Sequence, residues 1–240
     1  MASSRRIKED VLAILGQGGM AASGEVDASL SAYREEELIH ALFSALCRAD
    51  ETMRLRAALA FGRVVARLAA REMEAARVVM RRLLWSLNDE SGGIGWGAPE
   101  AIAATIAESQ VLADEYLHML VSYLKEDGDE PYQDGNFLEL PALQRGLLWG
   151  IGHIAPLYSD RLLAMDVAVE LEKYLSSPDK AVVGLALWCF TRLKAAAPDT
   201  LLEPLLADQT VVTLYVDAEP RSVTVGGLAR LAAATPPPIH

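Results

Sequence analysis

The segment Asn88-Asp89-Glu90-Ser91-Gly92-Gly93-Ile94-Gly95-Trp96-Gly97-Ala98-Pro99-Glu100 is where recognition chemistry is best concentrated in this chain. Four of the six positions from 92 to 97 are glycine. Glycine accepts positive φ and close backbone approach, and successive amide N–H groups ahead of a helix start form an anion-binding nest. Against a phosphate or carboxylate ligand stand the carboxylates of Asp89, Glu90 and Glu100, the absence of Lys or Arg, and the lack of a GxxxxGK[ST] pattern. A GxGxxG dinucleotide site would need a strand and a βαβ context that the sequence lacks. Two further readings use the same residues. The glycines shape a rigid turn that Trp96 plugs while Glu100 favours the helix dipole, or Trp96 anchors a protein or peptide partner, as aromatics do at interface hot spots.

The next segment places Asp127, Asp129, Glu130, Asp134 and Glu139 within thirteen positions. Hard cations take such oxygen ligands, but the DxDxDG spacing and closing Glu of a calcium loop are missing, so a solvated acidic loop is expected. Beyond it, Arg145, Trp149 and His153 fall at i, i+4, i+8 on one helical stripe. That stripe presents a cation, an aromatic plate and a titratable group to a partner, or else it buries Trp149 in the core with His153 bonded locally. His40 and His118 sit in apolar helical stretches and His240 is terminal; no HExxH, GxSxG or Cys–His pair occurs. No catalytic residue, cofactor or metal is assigned. An enzyme is disfavoured, and would have to draw its acid–base groups from Glu100, Asp89 or His153.

These residues must be positioned by helices. From Ser31 onward, apolar stripes of helical period alternate with short polar breaks, giving about five helix pairs. The spans expected are Arg34–Cys47 with Glu51–Arg71, Met73–Leu87 with Pro99–Ser109, Asp114–Glu126 with Pro141–Leu157, Arg161–Leu175 with Asp179–Ala196, and Thr200–Ala207 with Val225–Ala234. The inserted TVVTLYVDAEPRSVTV suggests a small β-hairpin near 211–224. Ahead of the pairs, residues 1–30 read as a short helix and a Gly/Ala/Ser-rich linker; 31–235 form the repeat domain and 236–240 a tail.

The second helices of the pairs resemble one another: RAALAFGRV from Arg56, RGLLWGIGHI from Arg145, VVGLALWCF from Val182 and VGGLARLAA from Val225. Arg56 and Arg145 are 89 residues apart and Gly184 and Gly227 are 43 apart, in the range of helical repeats. Small residues at Ala58, Gly146, Gly184 and Gly227 are expected to admit a neighbouring helix. These strings resemble the HEAT repeats of armadillo-type α-solenoids, including the variety found in phycobilisome bilin lyases. WSLNDESGGIGWGAPEAIA from Trp85 is also similar to a signature of a bacterial HEAT-repeat subgroup. The resemblance implies an all-α fold, a right-handed α-α superhelix. The repeated His-Glu dipeptides of HEAT-type di-iron hydroxylases are absent. The basic groove of HEAT-type DNA glycosylases is not expected either.

Charge divides the chain. Residues 1–90 carry 13 basic and 13 acidic residues, whereas 91–240 carry 9 and 20, so the whole net charge of −11 lies in the second part. Phosphate backbones would be repelled there, and nucleic acid is not an expected ligand. Arg63, Arg67, Arg71, Arg77, Arg81 and Arg82 form a basic run, read as a solvated face or as a contact for an acidic partner. A neighbouring copy's acidic half would serve as that partner in a homo-oligomer. No secretory signal or membrane span is evident, so a cytoplasmic location is expected and no membrane partner. Cys47 and Cys189 read as small buried hydrophobes. The leading reading is a non-enzymatic interaction scaffold that holds a protein or peptide along the loop edge 88–100/127–140, with Arg145, Trp149 and His153 behind it. A small-ligand or cofactor-chaperone role, similar to bilin lyases, is the alternative.

Overall fold

The structure, a computed structural model, describes residues 3–17, 23–88, 95–126, 136–216 and 218–234. The chain forms two compact units, one of Met1–Glu115 with Tyr215–Glu219 and the other of Tyr116–Leu214 with Pro220–His240. Among the described residues no helix is long and apolar enough to cross a membrane.

In the first unit, α1 (Ser4–Gln17) buries Ile7, Val11 and Leu15 at i, i+4, i+8 and packs on α3 (Glu35–Leu46), with α2 (Ser23–Leu30) between them in sequence. The following helix, α4 (Glu51–Arg71), begins where Asp50 accepts the Met53 amide at 2.7 Å, a side-chain cap for one of the orphan donors of a helix start. It packs against α3, α5 (Met73–Leu87) and α6 (Ala98–Glu108). Gly62 sets the α4–α6 spacing: a Cβ there would come within 2.5 Å of the Ala104 carbonyl carbon and oxygen. Only a residue without a side chain lets these two backbones meet. Phe61 and Leu68 of α4 and Ile102 and Ile106 of α6 are each fully buried and each worth about 1.5–3 kcal/mol of transfer free energy.

The second unit takes over within α7 (Gln110–Ser122) and continues with α8 (Pro141–Ala164), α9 (Val167–Glu172) and a 3₁₀ turn at Lys173–Ser176. Then come α10 (Lys180–Leu193), α11 (Asp199–Leu202), a second 3₁₀ turn, the strands β1 (Val211–Val216) and β2 (Glu219–Thr224), and α12 (Val225–Ala233). The second helices of successive pairs lie against each other within each unit, α4 on α6, α8 on α10 and α10 on α12. A stack of that kind is what an α-solenoid requires.

All five expected pairs are present, as α3/α4, α5/α6, α7/α8, α9/α10 and α11/α12, and so is the hairpin. One boundary is of physical interest. The expected break after Leu157 is present as a kink: Tyr158 is non-helical (φ −132°, ψ 25°), and a second helical run follows it as far as Ala164. Pro156 has no amide hydrogen, so Gly152 loses its regular i+4 donor. Arg192 Nε of α10 donates to that carbonyl at 3.2 Å, which allows the helix to continue past the proline.

The small-residue expectation holds in part. A Cβ at Gly184 would lie 2.8 Å from Val212 Cγ2 of β1, whose Val212 and Leu214 point inward, and 3.4 Å from Leu228 Cδ1 of α12, so the glycine seats both the strand and the neighbouring helix. A Cβ at Gly227 would meet only Thr224 Oγ1, the residue that caps α12. Tighter helix-on-helix approaches fall at Gly62 and at Gly152, the latter beneath the Trp188 ring.

Candidate functional site

The turn Gly95-Trp96-Gly97 leads into α6 and is held at both glycines. A Cβ on Gly95 would lie 2.8 Å from the Ser86 carbonyl oxygen, and Gly97 has φ +73° with Leu46 Cβ and O only 2.9 Å from where its own Cβ would be. The Ala98 amide donates back to Gly95 O at 3.0 Å, and Pro99 stands in the first helical turn, where its missing N–H costs nothing. This geometry leaves Trp96 37% exposed on the wall of a cavity of about 160 Å³. Phe43, Leu46 and Cys47 from the end of α3, Arg82, Leu83 and Ser86 from α5, and Gly95 and Ala98 complete the wall. Arg82 lies over the Phe43 ring, 4.1 Å from guanidinium carbon to centroid, and Phe43 in turn meets Phe61 edge to face at 5.0 Å.

On α5 the buried residues are Ala76, Met80 and Leu83. Val78, Arg82 and Trp85 follow i, i+4, i+7 on the opposite, exposed side, and Trp85 is 75% exposed. Cys47 is exposed, not buried as expected, because it is the residue that ends α3; Cys189 is buried. Asn88 ends α5 at the surface. Asp89, Glu90 and Gly93, together with Ser91, Gly92 and Ile94, lie outside the described residues.

Glu100 stands in the interior, 3% exposed. Its Oε1 accepts from Arg54 Nε at 3.3 Å, and Arg54 also reaches Glu51 at 3.5 Å and the Arg48 carbonyl at 3.4 Å. Oε2 of Glu100 is buried without a hydrogen-bond partner among the described residues. Burial pushes the carboxyl above the ordinary glutamate range, and the Arg54 charge offsets only part of that. Glu100 is therefore an internal strut beneath the turn and presents no charge to solvent.

The basic run is not a bare solvated face. Arg63 pairs with Asp27 at 2.7 Å, Arg67 and Arg71 with Glu35, Arg71 also with Glu36, Arg77 with Glu115 and Glu74, and Arg81 with Glu74. Within the run, Arg82 has no carboxylate within ion-pair reach among the described residues.

In the second unit, Arg145 donates from Nε to Asp179 Oδ2 at 3.1 Å, and Asp179 caps α10 through the amides of Ala181 and Val182. Burial acts to raise the Asp179 carboxyl, but the Arg145 hydrogen bond and the two amides outweigh it and hold the group below the ordinary aspartate range. Trp149 is buried and stacks on His153, with centroids 5.0 Å apart and planes 8° apart. Arg145 thus serves a helix start, and Trp149 belongs to the core with half-buried His153 lying on it.

Glu139 lines a separate recess of about 340 Å³ with Glu126, Phe137, Gln144, Lys173 and Tyr174. Lys173 Nζ donates to the Leu124 carbonyl at 2.9 Å, pairs with Glu170 at 2.8 Å, and lies 5.2 Å from the Phe137 centroid. The Tyr174 hydroxyl is buried without a partner among the described residues. Asp127, Asp129, Glu130 and Asp134 lie outside the described residues, and among those described no group of three or more His, Cys, Asp or Glu could hold a metal ion.

No protein-family profile matches the chain, and no curated protein matches it in sequence. Solved structures do match. An engineered protein shares 13% identity at a TM-score of 0.54, over 98% of each chain. A second engineered protein shares 14% identity at 0.52, over 97% of this chain and 87% of the other. A designed armadillo repeat protein shares 16% identity at 0.50, over 97% and 91%. The fold is an armadillo-type helical repeat solenoid with a small β insertion.

Proposed function

We propose that this chain is a non-enzymatic scaffold that holds a protein or peptide partner, with the cavity beside Trp96 as the anchoring point. The observation that carries the reading is a half-exposed tryptophan on the wall of an apolar cavity, on a turn held rigid by two close-packed glycines, with Trp85 exposed nearby on α5. Rigid aromatics around a pocket that fits one side chain are the usual anchors of protein association. A cavity of about 160 Å³ is also too small for a cofactor-sized ligand, whose sites run from roughly 300 to 1,000 Å³. The remaining residues expected on this edge, Asn88, Glu139, Arg145 and His153, are assigned supporting or peripheral places, and Glu100 a positioning role through Arg54.

The test is affinity capture from the native cell with the wild-type chain and with Trp96→Ala and Trp85→Ala, followed by rebinding of each recovered protein in pure form. Loss of rebinding in the variants, with unchanged circular dichroism and thermal midpoint, is expected. Equal rebinding by all three chains would refute the assignment.

The small-ligand reading has one observation in its favour. The recess at Glu139 is of ligand size, and Tyr174, whose buried hydroxyl has no partner among the described residues, lines it. A ligand-dependent rise in thermal midpoint that Glu139→Gln and Tyr174→Phe abolish would support it over the scaffold.

A further inference from the structure

We infer that the segment received by the Trp96 cavity is acidic as well as apolar: one apolar side chain fills the cavity while a neighbouring carboxylate of the partner pairs with Arg82. This rests on the scaffold reading and adds the chemistry of its partner.

Five of the six arginines between Arg63 and Arg82 have a carboxylate within 4.0 Å, drawn from α2, α3, α5 or α7. Arg82, the sixth, has the Phe43 ring beneath it instead, and none of its N–H donors has a carboxylate acceptor among the described residues. Among the described residues no acidic side chain lines the cavity. Arg48, the exposed neighbour of lining residue Cys47, likewise has no carboxylate partner among the described residues.

A guanidinium lying over an aromatic ring has already lost much of its rotamer freedom, so a carboxylate meets an ordered fork of donors and forms a charge-assisted pair at reduced entropic cost. Neutral or basic segments would leave those donors unmatched. Residues 1–90, which supply α3 and α5, carry a formal charge of zero, so the net charge of the chain is not concentrated around this wall. The cavity itself has room for one leucine- or phenylalanine-sized side chain. The partner motif is therefore short: one apolar anchor with Asp or Glu within a few residues of it.

The experiment is selection of a random linear peptide library displayed on phage against the full chain, with Trp96→Ala as the counter-selection. Synthetic peptides from the recovered pool are then titrated by fluorescence anisotropy. The expected pool pairs an apolar residue with Asp or Glu. Converting that acid to its amide should weaken binding about tenfold or more, in line with a charge-assisted hydrogen bond. Arg82→Gln should do the same, with no further loss when both changes are combined, and Arg82→Glu should redirect selection to peptides carrying Lys or Arg. Peptides that need Trp96 but lack an acid, or that bind the Arg82→Gln chain equally well, overturn this inference and leave the scaffold reading standing. Recovery of no peptide sensitive to Trp96→Ala overturns both. If Trp96→Ala instead abolishes self-association of the chain in sedimentation, the occupant is a second copy and the inference fails.

Discussion

Arg192 Nε donates to the carbonyl of Gly152 at 3.2 Å, and Gly152 is the residue whose intrahelical donor Pro156 removes. A helix interrupted by proline is thus completed from the neighbouring repeat. Arg192→Leu should destabilise the chain by about 1–2 kcal/mol, because a carbonyl on a buried residue loses its external donor. Pro156→Ala restores an amide four residues after Gly152, so the double variant should recover part of the loss in urea unfolding. A double variant that is simply additive would show that the carbonyl is satisfied by other means.

Gly62→Ala tests the closest helix contact of the first unit. Alanine gains roughly 1 kcal/mol of helix propensity over glycine, but its Cβ would stand 2.5 Å from the Ala104 backbone. Overpacking of about 1–3 kcal/mol should win, lowering the thermal midpoint, and Gly62→Val should lower it further.

Glu100 gives stability an unusual pH slope. Its folded carboxyl titrates above its ordinary value of 4.5, so the folded state holds the proton more tightly than the unfolded state does. Its contribution is most favourable below the unfolded value and is lost as pH rises through the folded one. In urea titrations run from pH 4 to 8, the stability of Glu100→Gln relative to wild type should therefore rise with pH across that window. A flat or falling difference would mean that Arg54 compensates the buried charge in full.

Asp179 has the opposite sign. Its folded carboxyl lies below 3.8, so its contribution is present above that value and disappears as pH falls through the folded one. Asp179→Ala should cost about 1–2 kcal/mol at neutral pH through loss of the helix cap. Asp179→Asn, which keeps an acceptor, should cost less, and both should remove this group's share of the acid-limb slope.

Much of this architecture was readable before any coordinates. The VVTLYV string marked β1, the helix expected from Asp179 starts there with Asp179 as the cap of α10, and Gly/Pro punctuation located the start of α6. What escaped depended on distant partners. Glu100 has the look of a surface residue in a first helical turn; Arg54, 46 residues earlier, is what allows its burial. The arginines from 63 to 81 look like a cationic face until Asp27, Glu35, Glu36 and Glu115 are brought to them by packing. Trp85 was detectable in principle, since it lies off the Ala76–Met80–Leu83 stripe of its own helix and is thereby turned outward. The donor that satisfies the Gly152 carbonyl was not, because Arg192 reaches it from α10, 40 residues later.

The chain's two thiols differ in a way that bears on redox conditions. Cys189 is sealed between helices, donates to the Leu148 carbonyl at 3.0 Å, and is held protonated by its burial. Cys47 meets solvent on the wall of the Trp96 cavity. Oxidation of the folded chain can therefore join molecule to molecule but cannot staple one molecule internally. The product would be a reductant-sensitive dimer bridged at the wall of the Trp96 cavity.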